Sequence, residues 1–210
     1  MATSLVVDGP EDATLTVALT HGAGGGMDTP FMEYFTAGLV RSGHRVVRFE
    51  FPYMAARRSG GSRRPPDRTE VLTRTWQQVI ASLGADRLVI GGKSLGGRMA
   101  SMVADEAGVA GLVCLGYPFH PPGKPERTRI AHLENLTTPT LVLQGSRDPF
   151  GTVEDVAGYA LSPVIRLHWL ADGDHGFRPR VASGRTEREN LDEAHAHLTV
   201  WLANLPGRGS

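Results

Sequence analysis

Residues 88–100 read Leu-Val-Ile-Gly-Gly-Lys-Ser-Leu-Gly-Gly-Arg-Met-Ala. Within them, Gly92 to Gly96 form a G-x-S-x-G pattern. An apolar run precedes the pattern, and a small-residue helical stretch, Met99 to Ala107, follows it. That context suits a nucleophile elbow, in which a serine sits on a strained strand-to-helix turn and flanking glycines remove Cβ clashes. Ser94 is therefore the candidate nucleophile. The Gly-Lys-Ser portion also resembles the end of a phosphate-binding loop. That motif needs a glycine five residues before its final glycine, where this chain has Arg87.

A serine hydroxyl is a poor nucleophile at neutral pH and needs a base. The base in turn needs a carboxylate to hold its tautomer. Where a G-x-S-x-G elbow carries the nucleophile, the chain order is serine, acid, histidine. Thr140–Gln144 reads as a strand with Gly-Ser-Arg-Asp-Pro after it, which makes Asp148 the acid. Val164–Leu170 reads as the next strand, and Asp-Gly-Asp-His-Gly after it makes His175 the base. Asp172 and Asp174 are expected to shape the histidine turn. His195 and His197 lie two apart on a helix and so do not share a face. His44, His132 and His168 are expected to be structural.

The segment His21-Gly-Ala-Gly-Gly-Gly26 ends an earlier strand. A glycine-rich loop there can supply one backbone N–H to a developing oxyanion, and the residue after the nucleophile supplies the other. Ala23 and Leu95 are the assigned donors, with Gly24 the alternative to Ala23. His21 is expected to order the loop. A dinucleotide site is not expected, because the glycines match its fingerprint only loosely. Glu50, the nearest acidic residue, is also not placed as that motif requires.

These residues need a scaffold that brings several strand ends together. Short β-rich runs occur at 5–7, 14–20, 45–51, 87–91, 111–116, 140–144 and 164–170. Most are near-continuously apolar, as strands covered on both faces must be. Helical periodicity lies between them: Phe31, Phe35 and Leu39; then Val71 to Leu83, with Asp67 and Glu70 as a capping pair; then Leu191 to Leu202 after a Thr186–Glu189 capping box. The pattern predicts an α/β fold with a mainly parallel twisted sheet and helices on both faces, residues 1–210 forming one domain. Its chemistry belongs at the carboxyl ends of the strands.

Together these segments resemble the α/β-hydrolase superfamily. More closely they resemble a small lidless subfamily related to dienelactone hydrolases. The similarity rests on His21–Gly25, Gly92–Arg98, Gly116–Pro125 and Gly145–Gly151, and runs from about Thr20 to the last helix. It implies a serine hydrolase with minimal or no cap. The lactone substrate does not carry over, because dienelactone hydrolases proper use cysteine where this chain has Ser94. Eukaryotic relatives include a subunit of a chromatin acetyltransferase complex, which keeps a non-catalytic binding module as an alternative. Acyl transfer through the same triad is another.

Tyr117–Thr128 is short and proline-containing, too small for a helical cap. From it, His120 is a candidate substrate contact, with turn stabilisation as the competing role. Residues 57–68 hold five arginines and one acidic residue. They form either a solvated loop or, through Arg63 and Arg64, a clamp for an anionic substrate group, since guanidinium forks bind carboxylate and phosphate bidentately. Lys93 either adds to that field or pairs at the surface.

Composition limits the remaining possibilities. The 22 basic and 22 acidic residues balance, which argues against a dedicated nucleic-acid or membrane-surface binder. One cysteine, Cys114, excludes a disulfide framework and a cysteine-based zinc site; it is expected to be a buried thiol. No apolar run of about 18 residues occurs, and residues 1–4 do not begin a secretory signal. The expectation is a cytoplasmic protein acting on a small-molecule ester or thioester, without metal or organic cofactor.

Overall fold

The structure, a computed structural model, describes residues 3–205. The elements run β1 (Leu5–Asp8), β2 (Thr16–Thr20), α1 (Pro30–Arg41), β3 (Arg45–Phe49), α2 (Pro52–Arg58), α3 (Thr69–Leu83) and β4 (Leu88–Lys93). They continue through α4 (Leu95–Ser101), α5 (Ala104–Ala107), β5 (Gly111–Leu115), β6 (Thr140–Gly145), α6 (Val153–Ala157), β7 (Ile165–Leu170) and α7 (Glu187–Ala203). All seven strands lie in one sheet, in the order β1-β3-β2-β4-β5-β6-β7. Only β1 pairs antiparallel; every other neighbour is parallel.

Alternation along the strands divides the core. Ala18, Val47, Phe49, Ile90, Leu112, Cys114 and Val142 point to one face, where they pack with residues of α2, α3, α4, α5 and α6. Val17, Leu19, Val46, Val89, Val113, Leu115, Leu141 and Leu143 point to the other, where α1 and α7 cover them. Both faces being dry explains why the strand sequences are continuously apolar. Trp76 of α3 is fully buried. Its ring meets Phe49 edge-on at 4.7 Å, and its indole N–H donates to the Gly96 carbonyl at 3.3 Å. Truncating such a side chain costs about 3–5 kcal/mol.

Register brings the functional loops to one edge. Thr20 pairs with both Phe49 and Gly92, Lys93 with Leu115, and Gly145 with Leu170. The loops after β2, β4, β6 and β7 therefore leave the sheet side by side. No helix lies between β5 and β6, so no cap domain covers that edge.

Three local expectations change. The run predicted over 45–51 ends at Phe49, because Pro52 starts α2 at a position where its missing N–H costs nothing. The 57–68 segment is thus partly helical. The Asp67–Glu70 capping pair does not form: α3 begins after Arg68 with no side-chain cap. Asp67 instead accepts the Tyr53 N–H at 2.9 Å, closing the first turn of α2. Finally, the helix expected over 99–107 starts directly after Ser94 and breaks between Ser101 and Ala104. The Thr186–Glu189 capping box is present.

Candidate active site

Ser94 links β4 to α4 with φ 49° and ψ −109°. A non-glycine residue rarely adopts this conformation, which stores about 1–3 kcal/mol of strain. The surroundings enforce it. Ser94 N–H donates to the Leu115 carbonyl at 3.1 Å, and its carbonyl accepts from Arg98 N–H at 3.0 Å. Gly92 and Gly96 allow the turn to press against β2. A Cβ at Gly92 would stand 2.0 Å from the Thr20 carbonyl oxygen, and one at Gly96 would stand 2.6 Å from the same atom.

The acid and the histidine come from the loops after β6 and β7. These loops are joined by backbone hydrogen bonds, Ser146 N–H to Leu170 O at 3.0 Å and Arg147 N–H to Gly173 O at 2.9 Å. Asp148 is fully buried. Its Oδ2 lies 2.7 Å from His175 Nδ1 and accepts from Gln144 Nε2 at 2.9 Å. Its Oδ1 accepts from Phe150 N–H at 2.9 Å. A carboxylate on Nδ1 fixes the proton there and leaves Nε2 as the free lone pair. The His175 ring also packs on Phe150 at 4.4 Å.

Gln144 was not singled out from the sequence. It is buried at the end of β6, accepts from Tyr117 N–H at 2.7 Å and donates to both Asp148 and the Tyr117 carbonyl. The available signal was a polar residue closing an otherwise apolar strand. Asn190 of α7 was missed likewise. It is buried and donates to the carbonyls of Ala171 and Phe177 on either side of the histidine.

Asp174 shapes the histidine turn as expected, accepting from the N–H groups of Gly176 at 2.7 Å and Arg178 at 3.0 Å. Asp172 is held by hydrogen bonds from Arg180 and by the charge of Arg147, which bring its carboxyl down to about 2. Ser94 and His175 line one open cavity of about 460 Å³ with Gly22, Ala23, Phe31 and Phe150. No hydrogen bond joins the Ser94 hydroxyl to His175 among the described residues.

His21 orders the glycine-rich loop. Its Nε2 accepts from Phe51 N–H at 3.1 Å, so Nδ1 carries the proton and donates to the Gly22 carbonyl at 2.7 Å. Burial lowers its pKa and keeps the ring neutral. Tyr53 OH donates to the Ala23 carbonyl at 3.2 Å. The backbone N–H groups of Ala23 and Leu95 make no hydrogen bond among the described residues. Glu50, at the end of β3, accepts from Met27 N–H at 3.2 Å and from Arg58 at 2.6 and 2.9 Å, while Arg58 also reaches Asp28. That charge network braces the same loop.

The proposed substrate contacts do not reach the cavity. Arg63 and Arg64 are exposed and absent from its lining; Arg64 lies 3.8 Å from Asp67. From the same run, it is Arg57 and Arg58, on α2, that touch the glycine-rich loop or its bracing carboxylates. His120 is buried between the Pro121 carbonyl at 2.8 Å and Asp155 at 3.2 Å, which is the turn-stabilising role. Cys114 is buried in β5, and burial raises its pKa, so it is not a second nucleophile. His168, Glu193 and His197 are the one group of metal-ligating type among the described residues. The two rings are stacked at 3.5 Å, and Glu193 already accepts from His168 and Arg185. Parallel rings do not aim their lone pairs at a common ion.

A family model described as the alpha/beta hydrolase domain matches residues 13–203. The chain belongs to the α/β-hydrolase family. Solved structures agree on the fold of this α/β-hydrolase. An α/β serine hydrolase without a lid from Xanthomonas campestris is 20% identical, with TM-score 0.71 over 99% of this chain and 91% of that one. Est1E from Butyrivibrio proteoclasticus, solved with ferulic acid bound, is 14% identical, with TM-score 0.72 over 97% and 95%. A monoacylglycerol lipase from Paleococcus ferrophilus is 16% identical, with TM-score 0.72 over 96% and 98%. The lidless architecture expected from the short segment after β5 is the observed one. No helix among the described residues of this α/β-hydrolase is long and apolar enough to cross a membrane.

Proposed function

We propose that the chain is a serine hydrolase that cleaves a carboxylic ester or thioester through an acyl-enzyme. The observation that carries this reading is the chain of hydrogen bonds from buried Gln144 through buried Asp148 to His175, which ends in the cavity that also holds the strained Ser94. Ser94 Oγ attacks the acyl carbonyl and passes its proton to His175 Nε2. The tetrahedral oxyanion is received by the N–H groups of Leu95 and Ala23, each worth about 3–4 kcal/mol in such sites. Collapse breaks the ester or thioester bond. His175 returns the proton to the departing alcohol or thiol. Water, deprotonated by His175, then attacks the acyl-enzyme, and on collapse His175 passes that proton to Ser94 Oγ as the acid leaves. Phe31, Met32 and Phe150 give the cavity an apolar wall for the acyl group. The serine hydrolase and the lipase named among the structural relatives support the same class of reaction. The test is labelling by a fluorophosphonate, wild type beside Ser94→Ala, read by intact mass. A single adduct confined to the wild type is expected. No adduct on folded wild-type protein rejects the hydrolase reading and favours a binding module.

A further inference from the structure

Lys93, immediately before the nucleophile, has no part in the mechanism above, yet it is held at the same cavity. Its side chain does not reach the exposed arginines of residues 57–68. Nζ donates to the backbone carbonyl of His175. The ammonium lies over two aromatic faces, 5.0 Å from the Phe31 ring centroid and 5.3 Å from that of Phe177. Phe31 comes from α1 and Phe177 from the loop that carries His175, so the cation is gripped from both sides of the site. The space exists because residue 116, at the end of β5, is glycine. A Cβ there would stand 2.7 Å from Nζ and 3.2 Å from the His175 carbonyl oxygen.

The topology makes this contact informative. Asp148 fixes which His175 nitrogen is free, but it does not set how far that nitrogen stands from Ser94. The two residues arrive on strands β4 and β7, separated in the sheet by β5 and β6. Among the described residues, the Lys93–His175 contact is the one hydrogen bond joining the elbow, residues 92–97, to the histidine loop, residues 171–178. Resting on the serine-hydrolase reading, we infer that Lys93 is a positioning residue that sets the Ser94–His175 separation by clamping the histidine loop to the nucleophile strand.

The clamp depends on charge. A cation–π contact and an ammonium-to-carbonyl bond both weaken when the proton leaves. Burial lowers the pKa of Lys93 to about 8, opposed by the carboxylates of Asp148 and Asp174. Glu187 of α7 lines the same cavity, whereas α1 presents only the untitratable Phe31 and Met32, and the turn after β5 only Gly116. Reactivity of Ser94 should thus fall as pH rises through about 8.

The experiment is the rate of fluorophosphonate labelling across that pH range for wild type, Lys93→Met and Lys93→Arg, with melting temperatures alongside. Wild type should show an alkaline decline centred near 8. Lys93→Met, unbranched like lysine but one atom shorter and uncharged, should label about tenfold more slowly at neutral pH and show no decline. Lys93→Arg, charged throughout, should restore part of the rate and also lose the decline. Wild-type labelling with Lys93→Met within about twofold of it overturns the clamp alone, as does a decline that persists in Lys93→Met. Should Lys93→Met fail to fold, a wild-type rate with no decline overturns it. Wild type that never labels removes the hydrolase reading and the clamp with it.

Discussion

Asp148 uses both carboxylate oxygens at once: Oδ2 meets His175 Nδ1 at 2.7 Å and Gln144 Nε2 at 2.9 Å, while Oδ1 meets the Phe150 amide. The residue is fully buried, so its orientation is set by these partners and not by solvent. An amide nitrogen in the Oδ2 position keeps the shape but loses the bond from Gln144 Nε2 and reverses the one to Nδ1, forcing the histidine into the wrong tautomer. Asp148→Asn should therefore fold normally and lower kcat for ester cleavage by about 10⁴. Steady-state kinetics on a chromogenic ester measures it; a loss below about tenfold would reassign the acid.

Ser94 holds a strained backbone conformation at the edge of the cavity. Its φ of 49° is unfavourable for any side chain with a Cβ. Glycine relieves about 1–3 kcal/mol of that strain and gives back about 0.5–1 kcal/mol in unfolded-chain entropy. Ser94→Gly should abolish labelling while raising the melting temperature by a few degrees, of order 1 kcal/mol for a chain this size. Calorimetry decides, and a lower melting temperature would show that the elbow is not strained in solution.

The turn at Ser94, the Asp148–His175 pairing and the glycine-rich loop beside them were legible because each feature is local. A strand end, two glycines and a serine announce the elbow, and a strand end followed by aspartate or histidine announces its partners. Gln144 and Asn190 were not legible, since their roles depend on which loop lies opposite after folding. The missed helix α2 has the same origin. Pro52 can open a helix or interrupt a strand, and only Asp67 closing the Tyr53 N–H from fourteen residues away selects the helix. Charge density left Arg63 and Arg64 open between a solvated loop and a clamp, because arginine clustering reports solvation as readily as ligand binding.

The arginines give a direct comparison. Arg63 and Arg64 are exposed and off the cavity. The double substitution Arg63→Ala/Arg64→Ala should leave KM unchanged, within about twofold, for both an anionic ester and its neutral analogue. A selective rise for the anionic ester alone would restore the clamp.

Arg58 should matter far more. Glu50 is buried just after β3, and burial alone would raise its pKa; the hydrogen bonds from Arg58 and the Met27 amide, together with the nearby positive charge, outweigh that and hold it below the ordinary value of 4.5. A carboxylate depressed on folding contributes stability that is fully present above its unfolded pKa and disappears as pH falls through the folded one. Arg58→Ala leaves the Glu50 carboxylate with only the Met27 amide. Arg58 is half exposed, so the loss should be about 1–3 kcal/mol near neutral pH, below that of a fully buried pair. At acid pH the gap between variant and wild type should close, because protonated Glu50 no longer needs its partner. Urea melts at neutral pH and below pH 4 test both halves. The variant should also label more slowly, since Glu50 and Arg58 brace the loop that carries Ala23. A destabilisation that persists undiminished into acid would assign the effect to α2 packing instead of the Glu50 charge.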